Sequence, residues 1–234
     1  VPIQIGEKQV AVVTPNEDVE RDSLATVSPP TYGDLLPDAS AAEGVAGVTT
    51  TNLAEPGTAT ADWLPGAPLF ESRLLPALAD AEVVLVSVGG NDLQEALGGG
   101  DGIGATAGAL DQADAAYEAV DRSGRNLART FAAIRDANPD AQIVYVGYPD
   151  YSSAEAWRER IGLSGSLALG AGLSALRGAA EEAGPDALID MTSATSQRPG
   201  GVDPLLADTE YLSPAGHRFY AERIAAALAG SPAT

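Results

Sequence analysis

The sequence predicts an α/β protein: a three-layer α/β/α sandwich around a five-stranded, mostly parallel sheet. Three observations carry this. The stretch Val83 to Asp92, VVLVSVGGND, is a continuous aliphatic run that stops at two glycines, an amide and a carboxylate. An uninterrupted apolar run of this kind suits a strand buried on both faces of a parallel sheet. Four further short runs of β-branched or aliphatic residues are spread along the chain, and between them apolar residues recur at helical spacing, so that strands and helices alternate.

In order, Gln9 to Thr14, QVAVVT, is the first strand, followed by PNEDVERDS, which has neither helical nor strand periodicity. Pro29 and Pro30 precede a helix around Tyr32 to Ala42, in which Pro37 is a candidate interruption. Val48 to Ala54 reads as the second strand, ending at Glu55-Pro56-Gly57 and leading into TATADWL, a helix start with Thr or Asp caps. Phe70, Leu74, Leu75 and Leu78 form a helical stripe that delivers the chain to the Val83 strand. Gly98 to Gly104 matches no G-x-G-x-x-G register and no lysine follows, so it reads as a surface loop rather than a phosphate cradle.

Val120, Leu127, Phe131 and Ile134 share one face of a long helix that stops at Asn138-Pro139. Ile143 to Pro149 is the fourth strand, and Tyr151 to Arg160 is expected as loop and short helix at the sheet edge. Leu169, Leu173, Leu176 and Ala180 mark another amphipathic helix, stopped by Gly184-Pro185. Ala187 to Met191 is the fifth strand. Ser213 caps the last helix with Pro214 at its first position, and Tyr220, Ile224 and Leu228 face the sheet.

Composition narrows the function. At 234 residues the chain is long enough for one sizeable core, and the expectation is a single domain over 1–234. A formal charge of −20 argues against nucleic-acid partners and anionic membrane surfaces, which need a positive footprint; it suits a salty or extracellular setting. No run approaches the ~18 apolar residues of a membrane span. The chain opens at Val1 without methionine, which leaves a leader or anchor undetermined. With no cysteine and one histidine, His217, thiol catalysis, disulfides and Cys/His zinc sites are excluded, and no EF-hand spacing supports calcium.

Gly, Asn and Asp are common turn residues, so alone Asn91 and Asp92 read as an Asx-type turn bonded to its own backbone. Their company changes that reading. Asn52-Leu53-Ala54 with Gly57, Gly89-Gly90-Asn91-Asp92, and the segment Asp208 to His217, DTEYLSPAGH, fall in order at strand ends or a helix start. In this the chain resembles the SGNH (GDSL-type) hydrolase family over most of its length. The resemblance implies a flavodoxin-like fold and, without a cofactor, hydrolysis or transfer of acyl groups on esters, lipids or glycans. It makes Gly57 and Asn91 oxyanion-hole donors, facing charge that develops on a tetrahedral intermediate, and makes Asp208 the acid.

The catalytic pair departs from the family. Tyr211 stands where the histidine base belongs and Leu212 where its proline belongs; a phenol of pKa about 10 is a poor general base near neutral pH. His217 matches the family's structural helix histidine, for which a surface or packing role is expected. For the nucleophile two registers are open. If the loop directly follows the first strand, the serine has become Asn16. If Arg21-Asp22-Ser23-Leu24 is the motif, Ser23 survives, 34 residues before Gly57, the same interval as from Gly57 to Asn91. A nucleophile must stand at the strand end to face the oxyanion donors, which favours Asn16.

The expectation is therefore a non-catalytic SGNH-type domain, extracellular or membrane-anchored, binding a small acyl-ester, lipid or glycan ligand or a protein partner. The alternative is an esterase or acyltransferase using Ser23. An unrelated flavodoxin-like binding protein would require the strand ends bearing Gly57 and Asn91 to lie far apart. An α/β-hydrolase is disfavoured by the absence of G-x-S-x-G.

Overall fold

The computed structural model describes residues 9–13, 30–97, 109–207 and 211–230. Thr14, Asn16, Ser23, the PNEDVERDS stretch, the Gly98 to Gly104 segment and Asp208 lie outside the described residues. Five strands, β1 (Gln9–Val13), β2 (Thr49–Asn52), β3 (Val83–Val86), β4 (Gln142–Val146) and β5 (Ala187–Ile189), form one sheet in the order β2-β1-β3-β4-β5. Every pairing is parallel.

Alternation along the strands divides the core into two layers, because successive side chains point to opposite faces. Val10, Val83, Leu85, Val144 and Ile189 pack under α1 (Tyr32–Ala42) and α7 (Pro214–Leu228), against Leu36, Tyr220 and Ile224. Ala11, Val84, Val86, Ile143 and Tyr145 face the other way. They meet Phe70, Leu74 and Leu78, from a wide-turn segment and the short α2 (Leu75–Leu78), and Leu127, Phe131 and Ile134 from α4 (Ala109–Ala137). A third cluster joins α3 (Gly90–Ala96) to α4 and α5 (Glu155–Glu182) through Leu93, Val120, Leu173 and Leu176.

Several local expectations change. Pro37 lies inside α1 without ending it; the helix is held at its start by a reciprocal capping box between Thr31 and Asp34. The segment TATADWL makes only a single 3₁₀ turn, Thr60–Trp63. The short helix expected before Arg160 is the first part of α5, which follows a 3₁₀ turn at Tyr151–Ser153 and is kinked at Gly162, where φ is +66°. The fifth strand ends at Ile189, and Met191 begins α6 (Met191–Ser196), capped by Asp190 accepting from the Ser193 N–H.

His217 takes the packing role rather than a surface one. It is 3% exposed in the first turn of α7, stacked near the Tyr32 ring, and its Nδ1 accepts the Tyr32 N–H at 3.3 Å. The preceding Gly216 is required there, since a Cβ would fall 2.2 Å from the Leu205 carbonyl oxygen. Burial pulls the imidazole down from 6.5 to about 4, against an opposing pull from Asp34. An unfolded chain therefore binds this proton first, and the stability contributed by neutral His217 is complete above pH 6.5 and lost as pH falls toward 4. Relative to His217→Gln, the native chain should lose about 3 kcal/mol across that window. Urea unfolding of both proteins at stepped pH values would check this, and parallel pH profiles would refute it.

Candidate functional site

The site lies at the carboxyl edge of the sheet, where ligands of open α/β folds sit. β1 is flanked by β2 on one side and β3 on the other, so the loops leaving those two neighbours stand on either side of its carboxyl end. Parallel strands two places apart are separated by about 9–10 Å. That gap is closed by side chains.

Asn91 and Asp92 are the second and third residues of α3, not a free loop, and neither side chain bonds to its own turn in the way an Asx motif would. Gly89 enters the helix at φ +118°, a conformation open essentially to glycine. Leu176 and Tyr148 occupy the space that side chains at Gly89 and Gly90 would need, each atom 2.8 Å from an ideal Cβ. Tyr148, just beyond β4, also accepts the Gly90 N–H on its hydroxyl at 3.0 Å. The turn is thus clamped from two sides.

From that turn, Asn91 Nδ2 donates to the Thr58 carbonyl at 2.9 Å, tying the β3 loop to the β2 loop across the end of β1. A primary amide carries two N–H groups, so one donor remains beyond this bond. One residue back from Thr58, Gly57 is exposed at φ +75°, and its N–H makes no hydrogen bond among the described residues. Asp92 supplies the second tie. It is 5% exposed, and its two oxygens accept the Thr60 N–H at 2.8 Å and the Thr60 hydroxyl at 2.7 Å. Asn126 of α4 donates to the same hydroxyl at 3.0 Å, and Trp63 Nε1 donates to Thr58 Oγ1 at 3.2 Å. Beneath them Tyr145 donates to the Val88 carbonyl at 3.0 Å, its phenol pushed well above the ordinary value by burial and then by Tyr148 and Asp92.

Gly57 and Asn91 are therefore brought together, and the reading that needed them far apart is overturned. Tyr211 is half-buried on the segment leading into α7, its carbonyl accepting from Ala207 N–H at 2.8 Å, while Leu206 bridges Leu212. Asn16, Ser23 and Asp208 lie outside the described residues. Among the described residues no group of His, Cys, Asp and Glu is placed to hold a metal, and no helix is long and apolar enough to cross a membrane. Sequence reasoning missed Thr58, Thr60, Asn126 and Tyr148. The Gly-Thr-Ala-Thr run was the available signal for the first two; nothing local marks Asn126.

The Asp92 tie is the one to break. Asp92→Asn keeps the shape but turns an acceptor into a donor toward Thr60. It should lower stability by about 2–3 kcal/mol and the thermal midpoint by roughly 5–10 °C. Calorimetry would measure this; an unchanged midpoint would mean that the tie contributes nothing.

Comparison with known proteins agrees with this fold. The profile of the GDSL-like lipase/acylhydrolase family matches residues 22–219. No curated protein matches the sequence. Among solved structures, a lipase from a goat rumen metagenome superposes with a TM-score of 0.65 at 15% identity, covering 97% of this chain and 100% of that one. A phospholipase A1 from Streptomyces albidoflavus and an extracellular lipase from Streptomyces rimosus each superpose with a TM-score of 0.61 at 16% identity, covering 91% of this chain and 95% of theirs. With a matching family profile over most of its length and the same fold in these structures, the chain belongs to the GDSL-like lipase/acylhydrolase family.

Proposed function

We propose that this chain is a non-catalytic member of the family, one unit over 1–234, that keeps its oxyanion pocket as a ligand-binding surface. Gly57 N–H and the second amide hydrogen of Asn91 are the retained donors, Asp208 the retained acid, and Asn16 and Tyr211 the replacements for serine and histidine. The observation that carries this reading is the state of the only imidazole in the chain. A general base needs a free nitrogen lone pair. In His217 the Nδ1 lone pair receives the Tyr32 N–H, which leaves the proton on Nε2, and burial keeps the ring neutral. Tyr211 cannot take its place efficiently near neutral pH.

Asn16 stands three residues after the end of β1 at Val13, the interval at which a strand-end nucleophile is expected. An amide there offers no nucleophile. Loss of either nucleophile or base costs a serine hydrolase about 10⁶ in turnover, and an oxyanion hole alone retains only ~10³–10⁴ over water. A binding role survives those losses, since donors that face a developing oxyanion also accept a carbonyl or carboxylate oxygen. The ligand class is a small acyl ester, or an acyl group on a lipid or glycan, and the setting is extracellular or membrane-anchored, as for the extracellular Streptomyces lipase of the same fold.

A second reading has one observation in its favour: the family match begins at residue 22, so it includes Ser23 and leaves Asn16 out. Under it, Ser23 is the nucleophile of an esterase or acyltransferase with an unconventional or partner-supplied base. The two readings part on one experiment. The purified chain is expected to turn over a short-chain aryl ester no faster than denatured protein and to take no fluorophosphonate label. Labelling or hydrolysis that disappears in Ser23→Ala would sink the first reading in favour of the second.

A further inference from the structure

We propose that the stretch Tyr151 to Ile161 is a strap closed over an acyl-tail site at the carboxyl end of β4, and that Trp157 stands where the tail of an ester ligand lies when the strap lifts. The inference deepens the ligand-binding reading of the pocket and rests on it for the seat of the ligand's carbonyl.

The path of α5 defines the strap. Eighteen residues of unbroken helix would hold Ser152 and Gly170 about 27 Å apart, yet Ser152 Oγ stands 2.9 Å from the place of a Cβ on Gly170. The chain doubles back at Gly162, whose φ of +66° with ψ of −178° is a conformation open essentially to glycine. Ile161 then rests on Gly165, its Cβ 2.7 Å from where a Cβ there would lie. Two glycines of the long arm of α5 thus seat the two ends of the strap.

The root of the strap is fixed to α6. Thr192 Oγ1 donates to the Tyr148 carbonyl at 2.8 Å, and the Asp150 N–H donates to Thr195 Oγ1 at 2.9 Å. Beyond the root, Trp157 is the one buried side chain in the two turns from Glu155 to Ile161, at 4% exposure. It enters the cluster of Leu169, Leu173 and Val202. The Glu155 N–H donates to the Asp203 carboxylate at 2.7 Å, a latch in an exposed position. Segments held by so little buried surface are the ones that open locally.

What lies beneath the strap continues to the pocket. Along the long arm of α5, Gly170 meets Ser152, Gly172 meets Leu93 at 2.9 Å from an ideal Cβ, and Leu176 fills the space beside Gly89. Leu93 follows Asn91 by two residues on α3. Tyr148 packs on the same cluster while its hydroxyl accepts the Gly90 N–H. From Gly165 to Leu176 this track is about 16 Å long, apolar and narrow, which is the shape of an acyl chain rather than of a sugar or a peptide. Ser166 adds an independent sign that the closed strap is one of two states. It shares the α5 face of Leu169 and Leu173, is 4% exposed, and its hydroxyl has no hydrogen-bond partner. An unpaired buried hydroxyl opposes closure, and burial of Trp157 favours it. A ligand tail that takes the place of the indole tips that balance.

The test follows Trp157 by fluorine magnetic resonance in the full chain carrying 5-fluorotryptophan, where the resonances of Trp63 and Trp157 are told apart with Trp157→Phe. Methyl octanoate and methyl acetate present one ester with a long and a short tail. Methyl octanoate is expected to shift the Trp157 resonance and methyl acetate to leave it in place, while both perturb the Gly57 amide. The chain has no cysteine, so Ser152→Cys with Gly170→Cys makes a reducible lock on the strap. Oxidised, this variant should bind methyl octanoate roughly tenfold more weakly than when reduced, because only the open fraction admits the tail, and should bind methyl acetate equally in both states. Asp203→Ala, which removes the latch, should tighten methyl octanoate binding about threefold. Methyl octanoate that perturbs Gly57 but leaves Trp157 unmoved would overturn the strap, as would no response at either residue or equal affinity in the oxidised and reduced lock. A Trp157 shift without change at Gly57 would uphold the tail site and refute the pocket as the seat of the carbonyl.

Discussion

The clasp between the β2 and β3 loops is the interaction on which the site depends. Two adjacent residues of α3 reach the same short loop, Asn91 to the Thr58 carbonyl and Asp92 to Thr60. Neither loop has a rigid reason to stay near the other, since β2 and β3 do not pair directly and β1 lies between them. A buried carboxylate without partners would be costly, whereas one that accepts two hydrogen bonds fixes the position of the chain that donates them. The Asp92 carboxylate thereby sets where Gly57 presents its N–H. Asn126 extends the tie into α4, so the loop position is coupled to the largest helix on that face.

The same geometry gives the β2 and β3 loops a structural role that does not depend on a catalytic pair. Gly89 and Gly90 are held by packing against Leu176 and Tyr148, and the clasp is a structural connection between layers. Substituting these residues would disturb the fold. A nucleophile and base, by contrast, are selected for rate, and on the proposed reading their replacement by an amide and a phenol would leave the framework standing. His217 illustrates the distinction. It is a buried acceptor for the start of α1, its Nδ1 receiving the Tyr32 N–H.

Outside the site, the α4–α5 layer departs from the usual surface of a strongly acidic chain. Small residues let the two helices approach at Gly124 and Ala179, and toward the amino ends the same small residues leave a groove when no large side chain fills it.

By itself the sequence determined the layer order of this protein. The aliphatic runs at β3 and β4 and the helical stripes between strands leave few alternatives to a parallel sheet, because each residue in those runs is buried on one face or the other. The Gly-Gly-Asn-Asp turn and the Asn-Leu-Ala segment with Gly57 were legible too, since glycine at positive φ and close approach are local requirements. Element boundaries were less so: Met191 has strand character yet starts a helix because Asp190 caps it, and TATADWL stops after one turn. What only the tertiary structure decided was partnership. Whether Asp92 bonds to its own turn or to Thr60, and whether His217 faces water or Tyr32, depends on residues 32 and 185 positions away. No local pattern encodes contacts at that separation; they exist because the crossover topology brings the carboxyl ends of the strands and the first turns of the helices to one edge.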